Sequence, residues 1–349
     1  MAKRDKLDYD KTLKELRAEG PKRLYLLWGE EDYLRESFFS ELKKLCLGDG
    51  GAEFNHRRFD SETLAAKELE EAVDTLPFLG ERTLVELRGF APDKHSGEAA
   101  ERIKELFSSI PEFCTLAILP GAGYQPDKRL SLYKAAVKHG SVLEFTSQDE
   151  SSLVNWIGRR FKALGKTISR RDAERLIFLT GGLMNRLISE IEKAAAHCEG
   201  EIVTGADLDA VVDRRPEADV FEMTDCLAVG DFDSAARLLS GLLFKREHPT
   251  MILAVIGMQF SRLYAARLAL ENGLGADYVM EACKIRYDFI VRKLLGTAKA
   301  YDIGTLREIL ALCAEADYRM KTSSSDDEGI LTELILRIAS PGISVRPGG

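Results

Sequence analysis

The sequence predicts an α/β domain built on a mainly parallel sheet, followed by a small helical domain and then an all-helical domain. Three observations support this prediction. Short apolar runs alternate with amphipathic segments over roughly the first 145 residues, which is the pattern of a doubly wound sheet. Strand patterns then stop near residue 148. From residue 220 onward, apolar residues recur only at helical spacing.

The first domain is predicted to span residues 1–147. Its strands are expected at residues 24–28, 53–60, 83–87, 113–119 and 141–145. The second of these has weak apolar character, whereas the fourth is apolar except for Thr115, as expected of a strand buried on both faces. Helices are expected at residues 6–20, 62–76, 97–110 and 128–138, and in the segment that carries Leu34, Phe38, Leu42 and Leu45 at helical spacing. Pro77 is expected to end the helix whose inner face carries Leu69, Val73 and Leu76.

The rest of the chain is predicted to be helical. Helices at residues 149–164, 171–180, 183–198 and 206–212 predict a small helical domain over residues 148–213. Residues 214–216, Arg-Arg-Pro, are predicted to form a linker. The third domain is predicted to span residues 214–340, and residues 341–349 to form a disordered tail.

Composition excludes several classes of protein. The net charge of −8 argues against a protein that coats DNA by itself. The six cysteines contain no C-x-x-C pair and the five histidines show no ligand spacing, so no metal site is expected. The longest apolar stretch, residues 251–258, is too short to span a bilayer. Scattered single cysteines fit a reducing compartment, and we therefore expect a cytoplasmic protein.

The turn after the first predicted strand has the position of a nucleotide site but the wrong residues. A phosphate loop reads G-x-x-x-x-G-K-[ST] at this place, with glycines for close backbone approach and a lysine for the phosphates. Here Gly29 is followed by Glu30, Glu31 and Asp32. Three carboxylates favour the start of a helix through its dipole and repel a triphosphate. The turn is therefore not expected to bind a nucleotide.

Two other glycine-containing segments resemble parts of a phosphate loop. Residues 165–167, Gly-Lys-Thr, follow a helix instead of a strand, and Arg160 stands where the first glycine is needed, so a turn between helices is favoured. Residues 120–123, Pro-Gly-Ala-Gly, do follow a buried strand, but no G-K-[ST] comes after them. Ordinary turn chemistry is favoured there over ligand binding.

Four short sequence motifs occur along the chain. They are residues 24–31 (LYLLWGEE), 76–82 (LPFLGER), 220–225 (VFEMTD) and 316–322 (ADYRMKT), the last leading to an apolar run at residues 331–336. In this order and spacing they resemble the family of delta subunits of the bacterial DNA polymerase III clamp loader. An AAA+-like α/β domain, a helical lid and a helical C-terminal domain are also the layout of clamp-loader subunits.

The resemblance implies a role and a set of partners. Delta subunits bind the ring-shaped sliding clamp (beta) and help to open one of its interfaces, so that the ring is loaded on primed DNA during replication. They sit in a five-subunit loader with ATP-hydrolysing gamma/tau subunits and a delta-prime subunit. Because they do not hydrolyse ATP, the resemblance implies no catalytic residue, no intrinsic ATPase activity and no cofactor. It also implies contact with DNA only inside the complex, and a collar formed by residues 214–340.

The segment Leu76, Pro77, Phe78 and Leu79 has two interpretations. From the residues alone, these side chains are expected to cap the core where a helix turns back into a strand. The resemblance instead implies that they present an apolar anchor to the clamp. Leu79 stands where the family has a second aromatic residue. Which of the three apolar side chains is the deepest anchor is left open.

Two other functions stay open at this point. One is an AAA+-family ATPase with a degenerate nucleotide site, and the other is a scaffold on the same fold that has no part in replication. The arginine pairs at residues 159–160, 170–171 and 214–215 are expected to be solvated helix ends. The alternative is that they contact DNA phosphates or a neighbouring subunit.

Overall fold

The computed structural model describes residues 7–48, 52–60, 65–322 and 326–340, and these form two compact units. The first unit holds the described residues up to Ser147 together with Leu183–Asn185, and the second holds Gln148–Gly182 and the described residues from Arg186 onward. The finer division into domains at residues 147, 213 and 340 stays a prediction. The predicted tail, residues 341–349, lies outside the described part of the chain.

The first unit is built on a parallel sheet of five strands. The strands are β1 (Leu24–Gly29), β2 (His56–Asp60), β3 (Thr83–Gly89), β4 (Cys114–Pro120) and β5 (Ser141–Phe145). Their order in the sheet is β2-β3-β4-β1-β5, and every neighbouring pair is parallel. Every residue of β4 is buried, including Thr115, as its largely apolar run predicts. The predicted parallel α/β fold is confirmed.

Helices cover both faces of this sheet. They are α1 (Tyr9–Glu19), α2 (Asp32–Leu47), α3 (Ala52–Asn55), α4 (Ala66–Val73), α5 (Gly97–Ser109) and α6 (Ser131–His139), with a short 3₁₀ turn at Pro92–Lys94. Alternate residues of β1 point to opposite faces. Leu26 packs in a core with Leu69 of α4, Ile103 of α5 and Leu132 of α6. Tyr25 faces the other way, with its ring centroid 6.0 Å from that of Phe38 in α2.

The second unit is almost entirely helical. Its elements are α7 (Glu150–Ala163), β6 (Thr167–Ile168), α8 (Arg170–Thr180), α9 (Met184–His197), β7 (Ile202–Val203), α10 (Gly205–Val211), α11 (Pro216–Ala228), α12 (Phe232–Phe244), α13 (Pro249–Glu271), α14 (Ala276–Cys283), α15 (Asp288–Ala298), α16 (Ile303–Thr322) and α17 (Asp327–Ile338). The long helix α13 packs against α11, α14, α15, α16 and α17, and buries Ile256, Phe260 and Leu263. The predicted all-helical C-terminal region is confirmed.

Helix α13 is also the one helix, within the described residues, that by length and composition could cross a membrane. The buried core helix of a globular domain meets the same two criteria, so this finding has little weight alone. The position of α13 at the centre of its helical neighbours is that of a core helix.

Several predictions about individual elements are wrong. Strands do not stop near residue 148, because β6 and β7 form a two-stranded parallel sheet inside the region predicted to be helical. Each has two residues, too few for a periodic pattern. Residues 52–55 form the helical turn α3, so the weak strand begins only at His56. Leu45 is 39% exposed, and the buried face of α2 continues through Cys46 and Leu47 instead.

The predicted helix at residues 62–76 and the predicted linker also differ from the structure. Residues 61–64 lie outside the described residues, and α4 ends at Val73, so Leu76 is not on its inner face. Pro77 disfavours a helical backbone at Leu76, so the helix is not expected to continue through that residue. The linker at residues 214–216 is an ordered helix start, since α11 begins at Pro216 and Arg214 forms ion pairs with Asp219 and Glu222.

Candidate functional site

The carboxyl end of β1 is closed by direct backbone contact with β5. Gly29 pairs with Phe145 and has φ = +131°, and a Cβ placed on Gly29 would lie 2.1 Å from the carbonyl oxygen of Phe145. Only glycine fits this position. The N–H of Glu31 donates to the same carbonyl at 3.0 Å, so it points back into the sheet. A phosphate loop needs such N–H groups to point outward.

The side chains of the turn are engaged within the first unit as well. A carboxylate oxygen of Glu30 accepts hydrogen bonds from the N–H and the hydroxyl of Ser147, at 3.3 and 2.9 Å. The carboxylate of Asp32 forms an ion pair of 2.7 Å with the buried Arg35. These contacts keep negative charge at the start of α2, where it is favoured by the helix dipole.

Glu31 is the unusual member of this group, because its side chain is fully buried. Its carboxyl group accepts from the N–H of Met184, at 3.3 Å to each oxygen. The net effect raises the pKa of Glu31 from 4.5 to about 7: burial raises it most, Asp32 and Glu30 also raise it, and the hydrogen bonds from the backbone N–H groups of Met184 and Tyr33 lower it. The carboxyl group is therefore close to half protonated at neutral pH.

The two other phosphate-loop fragments have structural roles. The ammonium of Lys166 donates to the carbonyl oxygens of Cys198 and Gly200, at 2.6 Å each, and the N–H of Thr167 donates to the carbonyl of Glu201 at 2.7 Å. This segment thus joins β6 to the chain that leads into β7. Pro120 is the buried last residue of β4, and residues 121–123 form an exposed turn with Gly123 at φ = +76°.

The segment between α4 and β3 is exposed and apolar. Leu76 is 72% exposed, Phe78 is 55% exposed and Leu79 is 86% exposed, with Pro77 half-buried between them. The alternative in which these side chains cap the core is therefore wrong. The physical reason is the early end of α4, which carries the chain off the inner face before Leu76.

The exposed segment is held by a side chain that the sequence does not single out. The amide of Asn55 accepts from the N–H of Phe78 at 2.6 Å and donates to the carbonyl of Phe78 at 2.9 Å. Leu79 takes a left-handed conformation with φ = +49°. A Cβ at Gly80 would lie 2.7 Å from the Asn55 amide nitrogen, so glycine is needed there for close approach.

Phe54 enlarges the same exposed surface. It is 65% exposed, and its ring centroid lies 5.3 Å from that of Phe78, within the range of an attractive aromatic pair. We call Phe54, Leu76, Phe78 and Leu79 the apolar projection. The sequence prediction included the last three and missed Phe54, whose apolar character had been assigned to a strand.

The acidic turn and the predicted clamp-binding segment lie at different places in the first unit. Gly29–Asp32 lie at the carboxyl edge of the parallel sheet, whereas Leu76–Leu79 precede β3 and lie at its amino edge. Within the described residues, no group of three or more His, Cys, Asp or Glu side chains could hold a metal ion.

Two family models match the chain. The model described as DNA polymerase III, delta subunit, matches residues 25–146, and the one described as DNA polymerase III delta subunit, C-terminal domain, matches residues 217–338. Together they cover more than half of the chain. The first includes both the acidic turn and the segment Leu76–Leu79, and the second covers α11 to α17.

The similarity to individual relatives extends over almost the whole length of this chain. The DNA polymerase III subunit delta of Bacillus subtilis (strain 168) is 26% identical over 321 residues, which are 90% of this chain and 92% of that protein. The probable DNA polymerase III subunit delta of Aquifex aeolicus (strain VF5) is 22% identical over 329 residues, 90% of each. Among solved structures, the DNA clamp loader delta protein of Bacillus subtilis matches with a TM-score of 0.57 and 24% identity, over 95% of this chain and 99% of that one. That similarity shows a shared fold.

Proposed function

We infer that this chain, which belongs to the DNA polymerase III delta subunit family, is the clamp-binding and non-hydrolysing subunit of a bacterial clamp loader. In this proposal it binds the sliding clamp, helps to open it, and so allows the ring to be loaded on primed DNA during replication. Membership of the family supports the place in the loader. The apolar projection supports the contact with the clamp.

The observation that carries the proposal is a group of exposed apolar side chains on a fixed backbone. Fully burying each of them contributes about 1.5–3 kcal/mol. Because Asn55 already holds the backbone of Phe78, less conformational entropy is lost when the projection is bound. Two or three such anchors supply a large share of the free energy of a micromolar complex, about −8 kcal/mol. An exposed apolar loop of this kind suits a hydrophobic pocket on a partner.

Binding and opening are separate tasks in this mechanism. A protein that binds the ring shifts its equilibrium toward the open form only by the difference between its affinities for the open and closed forms. The apolar projection supplies affinity for the clamp in either form. Opening comes from further surface of the first unit that fits the open ring better than the closed one.

The absence of ATP hydrolysis is part of the proposal. The N–H of Glu31 is directed at the Phe145 carbonyl, and three carboxylates lie where phosphates would have to bind. No G-K-[ST] follows a strand in this sequence. ATP bound by the gamma/tau subunits would instead expose the projection. The C-terminal helices would form the collar that joins this chain to those subunits and to delta-prime, in the cytoplasm.

The first experiment measures binding of the purified chain to the sliding clamp, without ATP, by surface plasmon resonance. Changing Leu76→Ala and Phe78→Ala together removes two anchors. We expect this to weaken binding by about 30- to 1,000-fold, the effect of losing hot-spot contacts worth about 2–4 kcal/mol. The circular dichroism spectrum should not change, because both side chains are exposed.

The matched control is Phe244→Ala, which truncates a 90% exposed phenylalanine of the second unit and should leave clamp binding unchanged. Clamp binding that survives the double change would refute the role of the projection. A double variant that loses its fold would show that these side chains support the core.

The rival function is an AAA+ ATPase with a degenerate site. It predicts that a fluorescent ATP analogue binds the isolated chain at micromolar concentration and that the chain turns over ATP alone. Our proposal predicts neither. A scaffold unrelated to replication is separated from both by whether the sliding clamp co-purifies with the chain.

A further inference from the structure

A pocket of about 500 Å³ lies at the amino edge of the sheet, away from the acidic turn. Its lining comes from the segments that lead into the strands. Lys22 and Arg23 precede β1, Arg82 precedes β3, and His139 precedes β5. Because the strands are parallel, these three entry points lie at the same edge of the sheet. A volume of this size falls within the range of small-molecule sites.

The charge of the lining is opposite to that of the whole chain. The chain carries a net charge of −8, yet Lys22, Arg23, Arg82 and His139 face a single carboxylate, Glu112, in this pocket. Glu112 is itself engaged, in an ion pair of 2.8 Å with Arg23. The positive charges of Lys22 and Arg82 are therefore left without an acidic counterpart in the lining.

Arg82 is a half-buried cation of this lining whose hydrogen-bonding capacity is not fully used by the part of the protein that the structure describes. Its Nη1 nitrogen is buried and has no hydrogen-bond partner within the described residues. The guanidinium lies close enough to Cys46 and Cys114 for its charge to lower the pKa of both thiols, although burial raises that pKa more strongly. A half-buried cation beside apolar groups is unfavourable unless an anion or an acceptor compensates it.

We propose that this pocket binds a small phosphate-bearing molecule. Its phosphate group accepts hydrogen bonds from the planar guanidinium of Arg82, which suits the geometry of phosphate oxygens, while the Lys22 ammonium acts as a point charge beside it. Phe107 and Ile110 close the pocket on the side of the core but are themselves buried, so the ligand is held mainly by the polar lining. The acidic turn at the opposite edge has no part in this site.

The test is a titration of the full chain with inorganic phosphate, and separately with pyrophosphate, at constant ionic strength. Binding is followed by isothermal calorimetry and by the ³¹P resonance of the ligand. We expect saturable binding with a Kd at or below about 1 mM for pyrophosphate and weaker binding for phosphate. Arg82→Met should raise both Kd values by at least about tenfold, and the exposed Lys22→Met should raise them by about threefold or more.

The control is Arg57→Met, which removes an exposed cation from β2 and should leave both Kd values unchanged. If Arg82→Met does not fold, Lys22→Met alone decides. Equal affinity of wild type and Lys22→Met, or no saturation in the wild type up to 10-fold above about 1 mM, would overturn the proposal. A DNA duplex that displaces pyrophosphate, and whose binding Lys22→Met weakens, would also overturn it, because the phosphate would then come from a nucleic-acid backbone.

Discussion

Replacing Glu31 by glutamine changes how the stability of the first unit depends on pH. The Glu31 carboxyl is fully buried and has a pKa raised from 4.5 to about 7, first by burial. The folded protein therefore holds a proton at Glu31 between these two pH values that the unfolded chain has released. Stability from this group is complete below pH 4.5 and is lost as the pH rises through about 7. Glutamine cannot ionise, so the loss disappears in Glu31→Gln.

The size of the effect follows from the same two values. A difference of one pKa unit corresponds to about 1.36 kcal/mol. Relative to its value well below pH 4.5, the free energy of unfolding of wild type is lower by about 1.4 kcal/mol at pH 5.5 and by about 3 kcal/mol above pH 8. The free energy of unfolding of Glu31→Gln relative to wild type should therefore rise by about 2 kcal/mol between pH 5.5 and pH 8.5. Any constant effect of the amide on the Met184 hydrogen bond cancels in this difference.

The assay is guanidinium unfolding at the two pH values, followed by tryptophan fluorescence. The chain has two tryptophans, Trp28 in β1 and Trp156 in α7, so both proteins carry Trp156→Phe to make the signal specific for the first unit. Glu68→Gln, an exposed carboxylate of α4, is the control and should show no difference between the two pH values. A relative stability of Glu31→Gln that does not change with pH would refute the reasoning, because Glu31 would then not titrate near neutrality.

Three further predictions concern single contacts. Asn55→Ala removes both hydrogen bonds to the backbone of Phe78 and should weaken clamp binding by about 5- to 30-fold in surface plasmon resonance, without changing the fold. Gly29→Ala forces a Cβ to within 2.1 Å of the Phe145 carbonyl oxygen and should lower the free energy of unfolding by about 3 kcal/mol or more in guanidinium unfolding. Lys166→Met removes two charge-assisted hydrogen bonds and should destabilise the second unit by about 1.5–3 kcal/mol in thermal unfolding, with no effect on clamp binding.

Each of these changes has a matched control in the chain. The control for Asn55→Ala is Thr75→Ala. It changes a residue of the loop that Asn55 contacts, and it should leave the affinity for the clamp unchanged. Gly121→Ala adds a Cβ that meets nothing within 4 Å, and Lys162→Met removes an exposed lysine of α7. If a control variant changes the measured affinity or stability as much as the variant it is paired with, the physical reason given for that prediction is wrong.

The sequence by itself determined the parallel α/β class of the first unit and the helical character of the C-terminal region, and it predicted a turn that lacks phosphate-loop residues. These depend on signals that are local in the chain. The apolar run at residues 113–119, broken only by Thr115, indicates a strand buried on both faces, and four residues, Gly29 to Asp32, already show carboxylates where a phosphate loop needs glycine and lysine. The family strings likewise need only order and spacing.

Only the tertiary structure decided how the candidate surface is built. Asn55 binds Phe78 across 23 positions of sequence, and Glu31 meets Met184 across 153, so no window of sequence contains either pair. Leu76 has helical spacing with Val73, yet it is exposed because the helix ends early. Whether an apolar side chain is buried or presented to a partner depends on what the rest of the fold places over it, and that depends on packing between distant segments.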